Sequence, residues 1–183
     1  LDFLKSKSPP LIGIDISSSS VKMVELSHVG RGNQLYRMAR YVIESIPAEA
    51  VTEGNIVNME VVSECLQRGW RRMGTRLKNV SLALPITDVI TKRINVPAGQ
   101  REDDLVFQVE NEASQYIPFS LDEVDLDFQV VGPTAENSDE VEVLIAASRK
   151  EKVEDRVAVA LSAGLKTLVM DIETYAAQSA FEL

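Results

Sequence analysis

The chain has 183 residues, 45% of them hydrophobic and 26% charged, a composition that excludes general disorder and suits one packed domain or two small ones. Asp and Glu number 28 against 19 Lys and Arg, a formal charge of -9, which argues against non-specific nucleic-acid binding through a basic, phosphate-neutralising face. The single cysteine, Cys65, excludes an internal disulfide framework, and no apolar run approaches the roughly 18 residues that span a bilayer.

Residues 1–10 (LDFLKSKSPP) are expected to form a flexible lead, because Pro9-Pro10 forbid a helix. No signal-peptide pattern follows, and Leu1 in place of Met points to a trimmed start. LIGIDI (11–16) reads as a buried strand, the serines 17–20 as a turn, and VKMVEL (21–26) and QLYRMARYVI (34–43) as two further strands of a meander. Residues 58–76 change period. Asn58 can cap a helix whose stripe is Met59, Val62, Leu66, Trp70 and Met73, and Arg68, Arg71, Arg72 and Arg76 read as a solvated charge set near its end. NVSLALP (79–85) is a short strand, expected parallel to an earlier one because a helix precedes it.

Residues 86–147 read as an inserted strand–helix–strand–strand unit. Its strands are VITKRINV (89–96), a strand carrying Val124, Leu126, Phe128 and Val130, and one carrying Val141, Val143 and Ile145. Its helix opens at Glu102, carries Leu105, Val109, Ala113 and Tyr116, and is expected to end at Pro118; 132–140 is a loop. Ser148 to Glu151 reads as a capping box, opening a helix with Val153, Val157 and Leu161 on one stripe and Gly164 as its stop. LKTLVM (165–170) is a strand, and a last helix begins within 171–183.

The sharpest chemistry lies between Gly13 and Lys22. A buried strand delivers Asp15, a turn of small residues follows, and Lys22 returns on the next strand. Backbone N–H groups and hydroxyls of such a turn can approach phosphate oxygens, Lys22 can add a charge-assisted contact, and Asp15 can hold Mg²⁺ through water. The same residues also suit a serine-rich hairpin in which the side chains bond their own turn. His28 has no ligand companion, Cys65 and Trp70 read as core, and Asp122, Glu123, Asp125 and Asp127 read as a solvated strand face.

The order of elements resembles the first domain of the actin, Hsp70 and sugar-kinase ATPase superfamily. More specifically, GIDISSSSVKMVEL, VITKRINVP, ENEASQYIPFSLDEVDLDFQVVG and VEVLIAASRKEKVEDRV resemble the PilM family of type IV pilus assembly, QYIPF followed by LDEVDLDF being the most specific element. The resemblance implies an α/β fold: an actin-like ATPase domain I, with a ribonuclease H-like mixed sheet, flanking helices and an inserted βαββ subdomain as in FtsA. Residues 11–85 and 148–183 would form the core subdomain 1A, and 86–147 the inserted subdomain 1C.

It further implies ATP and Mg in the full-length protein. Asp15 would reach the metal through water, Ser17, Ser18 and Ser19 the phosphates, Lys22 the β-phosphate region, and Glu173 the catalytic water. The second phosphate turn and the adenosine site belong to the other half of such proteins, so this chain alone is expected to be inactive, with at most a weak ATPase at full length. The partner implied is the cytoplasmic N-terminal tail of PilN, a bitopic inner-membrane protein, with Leu84, Pro85, Ile90 and Lys92 as candidate groove wall. The location implied is cytoplasmic, at the inner membrane face. A sugar-kinase-like phosphotransferase and an FtsA-like filament protein share the fold and remain alternatives.

Overall fold

A computed structural model describes residues 9–29, 36–135 and 139–182. Residues 1–8 of the expected lead, the Gly30 and Gly32 region and part of the 132–140 loop lie outside the described residues. In chain order the elements are β1 (Ile12–Ile16), β2 (Ser20–His28), β3 (Tyr36–Ser45), β4 (Val51–Thr52), β5 (Asn55–Ile56), α1 (Met59–Met73), β6 (Asn79–Leu84) and β7 (Val89–Pro97). Then come α2 (Glu102–Ala113), β8 (Val124–Pro133), β9 (Glu140–Arg149), α3 (Lys150–Ser162), β10 (Lys166–Ile172) and α4 (Glu173–Phe181). The chain divides into two compact units, Leu1–Leu84 with Glu154–Leu183, and Pro85–Val153.

The first unit is built on a five-stranded sheet of order β10-β6-β1-β2-β3. The antiparallel β1–β2–β3 meander forms as expected, and β6 lies parallel to β1 and to β10. Strand alternation sends Ile12, Ile14 and Ile16 inward and leaves Gly13 and Asp15 on the opposite face. Val21, Met23, Val80 and Leu82 extend that inner face, against which α1 buries Val62, Cys65, Leu66 and Met73. Gly69 lets the helix approach closely, since a Cβ there would stand 3.4 Å from the end of Met23. Met59, placed on the stripe by its spacing, is exposed instead.

Local chemistry sets the ends of α1. Asn58 accepts the Val61 N–H in its side chain, and Gly74, at φ +66°, supplies a left-handed stop that ends the helix at Met73, three residues before the expected end. The Trp70 indole N–H donates to the Leu77 carbonyl at 2.8 Å. Two of the arginines read as solvated are tertiary contacts. Arg68 Nε stands 3.0 Å and Arg72 Nη1 2.5 Å from the two carboxylate oxygens of Glu44 on β3. The bond from Arg68, followed by those from Arg72, holds the Glu44 carboxyl below its ordinary range although burial opposes the charge.

The two-residue strands β4 and β5, absent from the sequence reading, make a hairpin turned by Glu53 and Gly54, both at positive φ. Buried Arg156 on α3 donates to the Gly54 carbonyl at 2.8 Å, a contact across 102 residues. The buried side of α3 is Arg156, Val159, Ala160 and Ala163; the expected stripe through Val153, Val157 and Leu161 is wrong, and Leu161 is exposed. Gly164, at φ +80°, ends the helix as expected. Its N–H donates to Leu161 and that of Leu165 to Ala160, the double bond pattern of a Schellman stop.

The second unit is a three-stranded antiparallel sheet of order β7-β9-β8 with α2. Its core joins Ile94, Val96, Val143 and Ile145 from the sheet to Val109 and Ala113 from the helix, with Ile117 beyond it. The helix stops at Ala113 rather than running to Pro118. The capping box does not form. Ser148 is still in β9, its hydroxyl donates to the Asp88 carbonyl at 2.8 Å, and Glu151 pairs with Arg149 at 3.0 Å.

Candidate functional site

The first candidate site lies on the outward face of the five-stranded sheet. Asp15 and Lys22 are direct partners in the β1–β2 register, so both side chains leave the sheet on one face, and Lys22 Nζ stands 2.6 Å from Asp15 Oδ2. Their side chains are 45% and 50% exposed, which leaves both accessible to a ligand. They line a trough of about 520 Å³ together with Gly13, Ser81, Asp171 and Glu173. Gly13 keeps its floor clear, because a Cβ there would meet Val24 Cγ1 at 3.3 Å.

The serine turn behaves differently from its phosphate-binding reading. The Ser17 N–H and hydroxyl both donate to the Ser20 carbonyl at 3.0 Å, so the turn closes on itself. Ser18 and Ser19 are exposed, and none of Ser17, Ser18 and Ser19 lines the trough. Glu173, at the start of α4, does line it. Ser81 and Asp171 went unnoticed in the sequence. Their signal was available: both are polar residues in alternation with apolar ones on parallel strands, and ligands of open α/β sheets sit where such strands end. Lys22 is an ammonium that can exchange its Asp15 partner for another anion, while among the described residues no group of three or more His, Cys, Asp and Glu side chains is placed to hold a metal ion.

The second candidate site lies wholly within the unit Pro85–Val153. It is a cavity of about 140 Å³ lined by Ile90, Ile117, Phe119, Val124 and Ala147, with Arg149 and Lys152. The segment QYIPF builds much of its surroundings. Tyr116 carries Lys92 over its ring at 4.5 Å, Ile117 is buried, and Phe119 lies beneath the Arg149 guanidinium at 5.3 Å. Of the expected groove residues, Ile90 lines the cavity, Lys92 is engaged on Tyr116, Pro85 is half-buried, and Leu84 is only 5% exposed and offers no wall. Next to the cavity wall, the Ser120 hydroxyl donates to Asp122, which with Lys150 nearby holds that carboxyl below its ordinary range.

The remaining candidates take ordinary roles. Cys65 is fully buried, with Arg68 Nη2 3.0 Å from its sulfur, and the His28 ring lies 4.6 Å from that of Tyr36. Among the described residues no helix is long and apolar enough to cross a membrane.

A family model described as "Type IV pilus assembly protein PilM" matches residues 13–183. Among solved structures, a "PilM-PilN type IV pilus biogenesis complex" is similar at 27% identity with a TM-score of 0.83, over 96% of this chain and 51% of that chain. The cytoplasmic domain of EpsL, an inner membrane component of the type II secretion system of Vibrio cholerae, matches at 12% identity with a TM-score of 0.49, over 89% of this chain and 57% of that one, too remote to carry an argument. The chain therefore spans about half the length of the solved PilM relative.

Proposed function

The chain belongs to the PilM family of type IV pilus assembly proteins, and from that premise we propose that it is a protein-binding scaffold on an actin-like fold, docking the cytoplasmic N-terminal tail of a PilN-like membrane protein. The observation that carries the reading is the close structural similarity to a chain solved in a PilM–PilN complex. In this reading the unit Pro85–Val153 is the FtsA-like inserted subdomain 1C and the rest is subdomain 1A. The protein works on the cytoplasmic side of the inner membrane, held there by its partner. The cavity beside Ile90, Ile117 and Phe119 is of a size for one aliphatic side chain of an extended tail.

The trough supports a second part of the reading, nucleotide binding in the longer protein. Lys22 would suit the phosphate end of Mg-ATP and Asp15 the water shell of its metal, with Asp171 and Glu173 on the same trough. Bound there, the metal would supply charge neutralisation of the phosphates. Asp15 would hold its water shell, and Lys22 would leave Asp15 for a phosphate oxygen. Ser17, whose hydroxyl closes its own turn, would offer phosphate little, and the side chains of Ser18 and Ser19 are the exposed ones of the turn. Nucleotide acts as a conformational ligand rather than a substrate to be turned over quickly.

A pull-down with a synthetic PilN-like N-terminal peptide tests the main claim. Retention of the chain at micromolar peptide is expected; no retention at high micromolar peptide removes it.

A further inference from the structure

The sheet of the unit Pro85–Val153 has the order β7-β9-β8, so β7 and β8 are its edges, and among the described residues no strand pairs with the far side of either. An edge strand carries a row of unpaired N–H and C=O groups, and folded proteins blunt such rows with bulges and charge. β8 is blunted in this way. Its register on β9 shifts between Val130 and Gly132, and Asp125 and Asp127 are exposed along it. The Asp127 carboxylate also accepts the Phe128 N–H at 2.8 Å, so a main-chain donor of the strand is already engaged. β7 is left regular. It pairs with β9 without a shift, from Val89 opposite Ser148 to Pro97 opposite Glu140. Val89, Ile90, Thr91, Ile94 and Val96 are β-branched and suit a pleated strand. Its two charges are held by groups of the same unit, Lys92 over the Tyr116 ring at 4.5 Å and Arg93 by Glu142.

This regular edge leads into the cavity. Ile90 lines the cavity together with Ala147, its direct partner on β9, so both stand on the sheet face where the cavity opens. Directly opposed residues of paired strands share a face. A residue of an added strand set opposite Ile90 therefore turns its side chain to the cavity side. Resting on the docking reading above, we propose that the partner tail binds as a fourth strand on β7, bonded through its main chain to the open edge and anchored by an aliphatic side chain opposite Ile90. Main-chain bonds supply affinity whatever the side chains, and the cavity selects the anchor.

Fluorescence anisotropy with a synthetic PilN-like tail, and with a set of tails each carrying one backbone N-methyl group, tests this. N-methylation removes one N–H and leaves the side chain in place. Every second residue of a strand points its N–H to a given neighbour. Affinity is therefore expected to fall at least roughly fivefold at alternate positions of the paired stretch, and to change less than roughly twofold at those between. Amide hydrogen exchange of the chain, followed by NMR, is the second readout. The β7 amides that point away from β9 are expected to become protected when the unmethylated tail is added, and the amides of β8 to stay as they were. A scan without alternation, or protection that fails to appear on β7 or appears on β8 instead, overturns the proposal and leaves the docking reading standing. Failure of the unmethylated tail to bind overturns both.

Discussion

Replacing Glu44 with Gln separates the charge of a half-buried contact from its shape. The Glu44 side chain is 12% exposed and receives Arg68 at 3.0 Å and Arg72 at 2.5 Å, which clamp β3 to α1. A hydrogen bond to a charged group contributes about 1.5–3 kcal/mol when shielded, but the two guanidinium groups are about half exposed, so solvent reduces the loss to about 1–2 kcal/mol. For a chain of this size the midpoint of thermal unfolding should fall by about 3–6 °C at pH 7. The sign with pH follows from the lowered carboxyl. A carboxylate whose folded-state pKa lies below its ordinary 4.5 contributes stability that is complete above that value and is lost as pH falls through the folded-state pKa. The gap between the native chain and Glu44→Gln is therefore full at neutral pH and closes as pH falls through the lowered folded-state pKa. Circular dichroism melts across that range measure it. A gap that is absent at pH 7, or that persists undiminished in acid, refutes the reasoning.

Further outcomes are expected elsewhere. Leu66→Ala removes a fully buried core side chain and should cost about 2–5 kcal/mol in urea unfolding; a loss under about 1 kcal/mol would mean that α1 does not pack as described. Gly164→Ala forces a Cβ into the left-handed region at φ +80° and should cost about 1 kcal/mol in the same assay, with no loss contradicting the helix stop. Ala147→Leu fills the 140 Å³ cavity from its wall and should weaken tail binding at least about tenfold while the chain stays folded; unchanged binding would move the tail elsewhere. Asp15→Asn breaks an ion pair between half-exposed groups, so stability should change by less than about 1 kcal/mol, while the Mg-dependent part of nucleotide binding by the longer protein should disappear in calorimetry.

What could be read in the sequence was what depends on neighbours along the chain. The alternation of Ile12, Ile14 and Ile16, the Asn58 cap, Pro97 at the end of β7 and the Gly164 stop all follow from local geometry, and each stands where it was expected. Misreadings arose where a distant partner claimed a residue. Ser148 fits a capping box by spacing, but the Asp88 carbonyl, 60 residues away, takes its hydroxyl. Arg68 and Arg72 fit a solvated helix end until Glu44 arrives from β3. Leu161 follows an apolar period, yet the side of α3 that packs carries Val159 and Ala160 in the core and Arg156 bonded to the distant Gly54. At the trough, Asp15 and Lys22 were legible because seven residues and one turn bring them together. Asp171 was not, because only the order β10-β6-β1 brings a strand from the far end of the chain to within one strand of β1.

The parallel pairing of β6 with β10 has an evolutionary consequence. Two adjacent parallel strands require a connection that returns to the starting edge, and α3 alone would be sufficient for that return. The second unit is a guest spliced into this connection before the helix. Mutation can reshape or enlarge residues 85–153 without altering a backbone pairing of the five-stranded sheet, because their strands pair only among themselves.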